Sequence, residues 1–289
     1  MNSLTESTLL DLVTPDGCHG FMVRIARHVD EGIAWVWLVT YGPDGVHGFV
    51  DDRISLLGDR TPDDSIGAKY EVALPPDLGV EAFLSRQGSA LTPSGGFCVV
   101  DVLGHHGSDV PRGRGNERMR IEASFAVPDR PAGSNLQGRT ESIVSVEATL
   151  SINGVTRQMH GMGQFHEQIQ ETPRFDTPFT YMSLRGPVAS LIGLRGPRAG
   201  GGILISEGAI ESFQGLDLDA HDTTNLWKRR DFRGGSEPGG GGLVTGYVEP
   251  TVVYSLPIGN GRRPSSIVRG EMNGREVSGF VNDWSPSSA

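Results

Sequence analysis

The sequence predicts an all-β protein built as two consecutive antiparallel β-barrels. Three observations carry that expectation. Apolar residues recur at every second position in segment after segment, turn signals separate those segments at roughly 8 to 12 residues, and almost no stretch has helical periodicity. About sixteen strands are expected, enough for two eight-stranded barrels of about 145 residues each. Glycine is abundant, 41 of 289 residues, which suits a chain that must turn tightly and often. The first domain is expected to span 1–138 and the second 139–289, with Pro128–Gly138 as the linker.

Taken in order, Phe21–Val29 alternates strictly and Ile33–Tyr41 answers it, with Asp30-Glu31-Gly32 as the hairpin turn. Trp35 and Trp37 stand two apart and therefore share a face of the second strand. Val46–Leu57 is strand-like, and Asp51, Asp52 and Arg53 within it read as a solvated edge. Lys69–Leu74 is a short strand closed by Pro75-Pro76, and Leu78–Gln87 is a candidate short helix. Gly96–Leu103 and Arg118–Val127 resume the alternation across a Gly-rich loop carrying His105-His106 and Arg112–Arg114. Glu141–Ile152 is a strong strand, and Asn153-Gly154 after it is a type I′ hairpin signal returning the chain through Val155–Met162. Shorter strands follow from Thr180 to Phe213, and then Leu226–Phe232, Leu243–Val248, Thr251–Leu256, Ser266–Met272 and Arg275–Asn282. Asn273-Gly274 repeats the hairpin signal, and Gly234–Gly242 reads as a structureless loop.

Charge and composition narrow the function. The 35 acidic residues exceed the 25 Lys and Arg, for a net charge of −10, which disfavours nucleic acid and anionic membranes as partners. No apolar run approaches the roughly 18 residues of a membrane span, and Met1–Asp16 lacks the pattern of a signal peptide, so a soluble cytoplasmic protein is expected. Cys18 and Cys98 are the only cysteines. They are expected to be two separate buried thiols, with a single bridge as the alternative. Nucleotide loops, the Gly-x-Ser-x-Gly elbow and dinucleotide fingerprints are all absent. His160 and His166 lack zinc-protease spacing, and adjacent loop histidines make a poor metal signature, so neither metal nor cofactor is expected.

One stretch stands apart: His160-Gly161-Met162-Gly163-Gln164-Phe165-His166-Glu167-Gln168-Ile169-Gln170. In an extended strand His160, Gln164, His166, Gln168 and Gln170 project one way, and Phe165, Glu167 and Ile169 the other. A row of imidazoles and carboxamides suits the wall of a partly apolar cavity, while the bland alternative is the polar outer face of a sheet. If Glu167 faces inward between Phe165 and Ile169, burial would keep it protonated, as protonation of an alkene requires. If His166 faces inward with the amides, the site suits polarisation of a substrate carbonyl, such as that of a polyketide or tetramate. A regular strand allows one of them to dominate. Trp35, Trp37, Phe165, Phe179, Tyr181 and Trp227 are candidates for an aromatic wall, with Tyr181 as a supporting donor.

The Gly-x-Gly strand at Gly161 and Gly163, the His166-Glu167 pair with its amides, and Phe175-x-x-Pro178-Phe179-x-Tyr181 together resemble the superfamily of hydroxyneurosporene synthase, the carotenoid 1,2-hydratase. Glu276–Val281 also resembles that family's closing strand. The family's strand runs Gly-Tyr-x-Asp-His-x-Trp-Gly. Here Gln164 replaces the tyrosine, the carboxylate and imidazole are reversed or shifted as His166-Glu167, and Ile169-Gln170 replaces Trp-Gly. The resemblance implies two lipocalin-like domains with an apolar pocket. It also implies a cofactor-independent lyase or isomerase, a hydratase or cyclase (including cycloaddition) acting on a hydrophobic isoprenoid or polyene. A non-catalytic carrier of a lipid or pigment is the alternative.

Overall fold

The computed structural model describes residues 5–55, 69–73, 81–88, 93–127, 139–170, 177–197, 200–206, 209–220, 225–235, 244–258 and 261–285. All regular structure among them is β, apart from a single 3-10 turn at Val29–Glu31. No helix among the described residues is long and apolar enough to cross a membrane. The chain forms two units, residues 1–14 with 18–173 and residues 15–17 with 174–289.

The first unit contains β1 (Thr5–Val13), β2 (Gly20–His28), β3 (Ile33–Gly42), β4 (Gly45–Ser55), β5 (Lys69–Ala73) and β6 (Glu81–Gly88). It continues with β7 (Pro93–His106), β8 (Glu117–Ala126), β9 (Arg139–Ile152) and β10 (Val155–Gln170). All pairings are antiparallel, in the order β4-β3-β2-β1-β10-β9-β8-β7-β6-β5, and β4 also pairs with β7. That extra pairing, His47 opposite His106 and Gly48 opposite His105, closes the eight strands from β4 to β7 into a ring. Its interior is filled by alternate residues of successive strands, among them Leu10, Leu12, Val23, Ile25, Leu38, Phe49, Leu84, Val100, Ile121, Val144, Val146 and Phe165.

The second unit contains β11 (Phe179–Arg185), β12 (Ala189–Arg195), β13 (Gly200–Ser206), β14 (Ala209–Gln214) and β15 (Asp217–Leu218). β16 (Arg230–Gly234), β17 (Val244–Ile258), β18 (Gly261–Met272) and β19 (Arg275–Trp284) complete it. The order is β14-β13-β12-β11-β19-β18-β17-β16-β15. β14 and β15 lie at opposite edges of this sheet, yet only Gly215 and Leu216 separate them, so the sheet must curl round on itself. Phe213, Leu216, Leu218, Phe232 and Val248 pack with Met182, Leu184 and Val281 inside the curl.

Both units obey one rule: a meander whose first strand pairs with its last. Both also close with the hairpin read from sequence. Asn153 and Asn273 each adopt φ of 50°, followed by Gly154 at 85° and Gly274 at 76°. Each asparagine bonds the backbone of a third strand. Asn153 Oδ1 accepts from Arg118 N at 2.9 Å, and Asn273 Oδ1 accepts from Thr245 N at 2.9 Å. The two turns are built alike although no sequence repeat announces it.

Several expectations need correction. The boundary falls at 173/174, because β9 pairs with β8 and β10 with β1, which binds residues 139–170 to the first unit. Of the segment expected to be a helix, residues 81–87 belong to β6, where Ala82, Leu84 and Arg86 alternate into the barrel, and residues 78–80 lie outside the described ones. Asp52 is no solvated edge, being buried against Arg112 Nη1 at 3.1 Å. His105 and His106 end β7, where they help close the ring, and Cys18 is exposed while Cys98 is buried, both as free thiols. No group of three or more His, Cys, Asp or Glu among the described residues is arranged to hold a metal. The linker expected at Pro128–Gly138 and most of the loop expected at Gly234–Gly242 lie outside the described residues.

Candidate functional site: the two faces of β10

From Gly163 to Gln168 every residue of β10 is buried, on both faces of the sheet. Strand geometry sends Phe165 and Glu167 into the barrel and Gln164, His166 and Gln168 to its other face. His166 and Glu167 therefore belong to two different polar clusters, back to back across one strand.

Inside the barrel, Phe165 stacks on Phe125 with ring centroids 4.7 Å apart. One step along, Glu167 is ion-paired with Arg86 (Nε to Oε2, 2.6 Å). A second pair lies close by, since Thr8 is opposite Glu167 on β1 and Glu6 is two residues before it. Arg27 Nη1 donates to Glu6 Oε2 at 3.1 Å. Burial pushes the Glu6 carboxyl above its usual range, opposed by the charge of Arg27. Thr8 Oγ1 and Ser142 Oγ are buried here too. This is an apolar interior with a zone of paired charges set into it.

The opposite face is assembled by register. Trp37 of β3 stands opposite Arg24 of β2, Arg24 opposite Leu9, Leu9 opposite His166, and His166 opposite Glu141 of β9. That row crosses five strands and every member is buried. The Arg24 guanidinium lies over the Trp37 ring at 4.5 Å, and Trp35 stacks beside Trp37 at 6.5 Å. Glu141 is the hub: Arg139 forms an ion pair with one of its oxygens and Gln164 Nε2 donates to the other. His166 Nδ1 is 3.8 Å from Glu141 Oε2 and 3.2 Å from Arg139 Nη2. Asp11 fixes the strand by accepting from Gln164 N at 2.9 Å.

The nearer partner of His166 Nδ1 decides its tautomer. A guanidinium can only donate, so Nδ1 accepts, and the neutral ring carries its proton on Nε2. Glu141, already engaged by Arg139 and Gln164, anchors the assembly that holds this ring.

Five of the residues singled out from sequence thus share one face: Trp35, Trp37, Gln164, His166 and Gln168. Glu167 is on the other face of the same strand. His160 has the right parity but lies near the solvent-exposed start of β10. Phe179 and Tyr181 belong to β11 of the second unit, where Tyr181 is buried opposite Asn282, and Trp227 is 59% exposed. Sequence reading passed over Arg24, Arg139, Glu141 and the interior pairs. Arg24 did carry a signal, as a charge set between apolar residues of a strand now buried on both faces. Glu141 and Arg139 carried none, because their role depends on register with a strand some 25 residues on.

No protein-family model and no curated protein matches the sequence. Solved structures do. The AttH-like protein NE1406 of Nitrosomonas europaea superposes with a TM-score of 0.66 at 10% identity, over 98% of this chain and 92% of its own. CghA gives 0.63 at 13% identity, covering 100% and 90%. Kievitone hydratase from Nectria haematococca gives 0.56 at 9% identity, covering 96% and 88%. The chain has their fold. The tandem lipocalin-like architecture implied by Gly161–Tyr181 therefore stands, and at these identities the chemistry has to be argued from the residues themselves.

Proposed function

We propose that the protein is a cofactor-independent lyase or isomerase, a hydratase or cyclase, acting on a hydrophobic polyene or isoprenoid that carries a carbonyl. The observation behind this reading is the buried row Trp37–Arg24–Leu9–His166–Glu141. It places an imidazole on the same buried sheet face as the Trp35–Trp37 pair, three strands away across Leu9 and Arg24, with a carboxylate and a guanidinium holding the ring in one tautomer. In that form His166 donates to a substrate carbonyl oxygen. Charge building on that oxygen during attack on the conjugated chain is stabilised by a donor already in position. Gln164 and Gln168 orient the substrate, and Trp35 and Trp37 provide the apolar surface against which its chain folds.

Glu167, the other candidate acid, is assigned a structural role. Its carboxylate faces the barrel interior and is paired with Arg86, and a carboxylate held by a guanidinium is a poor proton donor. The fold neighbours support the reaction class: one is a hydratase by name, and CghA has been solved with Sch210972 bound.

The test is product formation from a panel of carbonyl-bearing polyenes, followed by mass spectrometry, for the wild type, His166→Ala and Glu167→Gln. Turnover by the wild type and by Glu167→Gln, with loss in His166→Ala, is expected. Ligand binding without turnover by any of the three would make the protein a carrier.

A further inference from the structure

The face that carries His166 is not sealed evenly. Trp37, Arg24, His166 and Glu141 are almost wholly removed from water, whereas Trp35, Ile33 and Gln170 on the same face are half-buried and Glu31 beside them is exposed. A molecule reaching this face has its more open edge at the Trp35 end. There sits an imidazole with no role in the proposed reaction. His28 ends β2 on the same face as Arg24, and its ring packs against Trp35 with centroids 4.4 Å apart. Its Nδ1 is 3.4 Å from Thr5 Oγ1 and 3.8 Å from Glu31 Oε1. Its Nε2 is buried and has no hydrogen-bond partner among the described residues.

The chemistry of the two ring nitrogens follows from these neighbours. The nearer neighbour of Nδ1, the Thr5 hydroxyl, can accept from it, and the Glu31 carboxylate, too far for a hydrogen bond, favours by its charge the tautomer with the proton on that side, which leaves a lone pair on Nε2. Burial and the Arg24 charge hold the ring below its ordinary pKa, opposed by Glu31, which keeps it neutral and accepting. His166 is in the opposite state, with Nδ1 accepting and Nε2–H donating. One sheet face therefore presents a donor at its deep end and an acceptor at its open end, with Trp35 packed against His28 and Trp37 against Arg24. His28 is four residues along β2 from Arg24, which is linked through Leu9 to His166 two strands away. At about 3.3 Å per residue and 4.8 Å per strand, the two Cα atoms lie roughly 16 Å apart.

We propose that His28 is a specificity residue for this site, its Nε2 accepting a hydrogen bond from a hydroxyl or N–H group at the trailing end of the substrate. This deepens the reading above, on which it rests, by naming the substrate class: an elongated polyene or isoprenoid with a carbonyl at one end and a hydrogen-bond donor at the other. An unsatisfied buried acceptor penalises a ligand that brings only a methyl group to it, so discrimination is set by the desolvated nitrogen.

The experiment uses matched pairs of carbonyl-bearing polyenes of graded length, ending in either a hydroxyl or a methyl group. Affinity is read from quenching of tryptophan fluorescence, and turnover is measured in parallel. For one length class the wild type should prefer the hydroxyl partner about tenfold. His28→Phe, which keeps a ring against Trp35 but no acceptor, should bind both alike, and His28→Gln should restore part of the preference. Equal affinity of the wild type for both partners at every length overturns the assignment, whatever the variants do. So does preference retained undiminished in His28→Phe. The outcomes separate from those of the parent reading: turnover without discrimination removes the role of His28 alone, whereas discrimination without turnover leaves it intact and removes the catalysis.

Discussion

The two faces of β10 are equally removed from water, yet they treat their polar groups in opposite ways. Toward the barrel interior, Glu167 and Glu6 are each met by one guanidinium, Arg86 and Arg27, within an apolar lining. Toward the other side, one carboxylate, Glu141, gathers an arginine and a carboxamide, with an imidazole beside it. The first arrangement neutralises charge; the second holds an imidazole in one tautomer. Burial alone therefore does not mark a functional group. What distinguishes His166 from Glu167 is that its partners fix a tautomer, where those of Glu167 cancel a charge.

Breaking each face should fail differently. The largest effect on stability is expected from Arg86→Leu, which leaves Glu167 as an uncompensated buried charge. It should cost about 3–5 kcal/mol in urea unfolding, while Arg86→Leu with Glu167→Leu recovers most of that loss. The largest effect on rate is expected from His166→Ala. Removal of a single positioned donor should lower turnover by about 10²–10³ while shifting the urea midpoint far less than Arg86→Leu does. A result with these two outcomes exchanged, with activity tracking Glu167 and stability tracking His166, would reverse the assignment of the faces.

Acid sharpens the comparison, because each side of the sheet holds one imidazole whose pKa lies below the usual 6.5. His28 is held down by burial and then Arg24, with Glu31 opposing; His47, inside the barrel at the β4–β7 closure, is held down by burial and then His106, with Glu117 opposing. With the folded pKa the lower one, the unfolded chain binds more protons in the window beneath 6.5. The stabilisation is complete above pH 6.5 and is lost as pH falls from there through the folded values. The melting temperature should hold steady above about pH 7 and decline below 6.5, and His47→Gln should flatten part of that decline. A decline unaltered by His47→Gln would remove this histidine from the account.

The smallest effect lies outside both faces. Asn153→Ala must hold a φ of 50° without the asparagine side chain and gives up the bond to Arg118 N. It should cost about 1–2 kcal/mol in thermal unfolding and leave turnover unchanged. A much larger loss would mean that this hairpin anchors the register on which the His166–Glu141 row depends.

Much of the architecture was legible locally. Period-two alternation marked Phe21–Val29, Ile33–Tyr41 and Glu141–Ile152 as strands, and two Asn-Gly pairs marked the hairpins that close each unit. Where local reading went astray, the residues explain it. In β1, Thr5-Glu6-Ser7-Thr8 is polar at its start, and Glu6 is tolerated inside the barrel only because Arg27 meets it. In β6, Arg86 occupies an inward position only because Glu167 waits for it, so its strand pattern was hidden. The parity of β10 was likewise legible, including the separation of His166 from Glu167.

What the sequence determined by itself is the class of fold, the turns and the faces of each strand, because alternation and turn chemistry depend on neighbours a few residues apart. The tertiary structure alone decided which faces are buried and who meets whom on them. Asp11 reaches Gln164 across 153 positions, and Arg86 reaches Glu167 only once the barrel has closed. Charge pairing, tautomer choice and the sharing of one face by His166 and the two tryptophans are products of strand register. Register is set by the whole sheet at once, so no local stretch of sequence contains it.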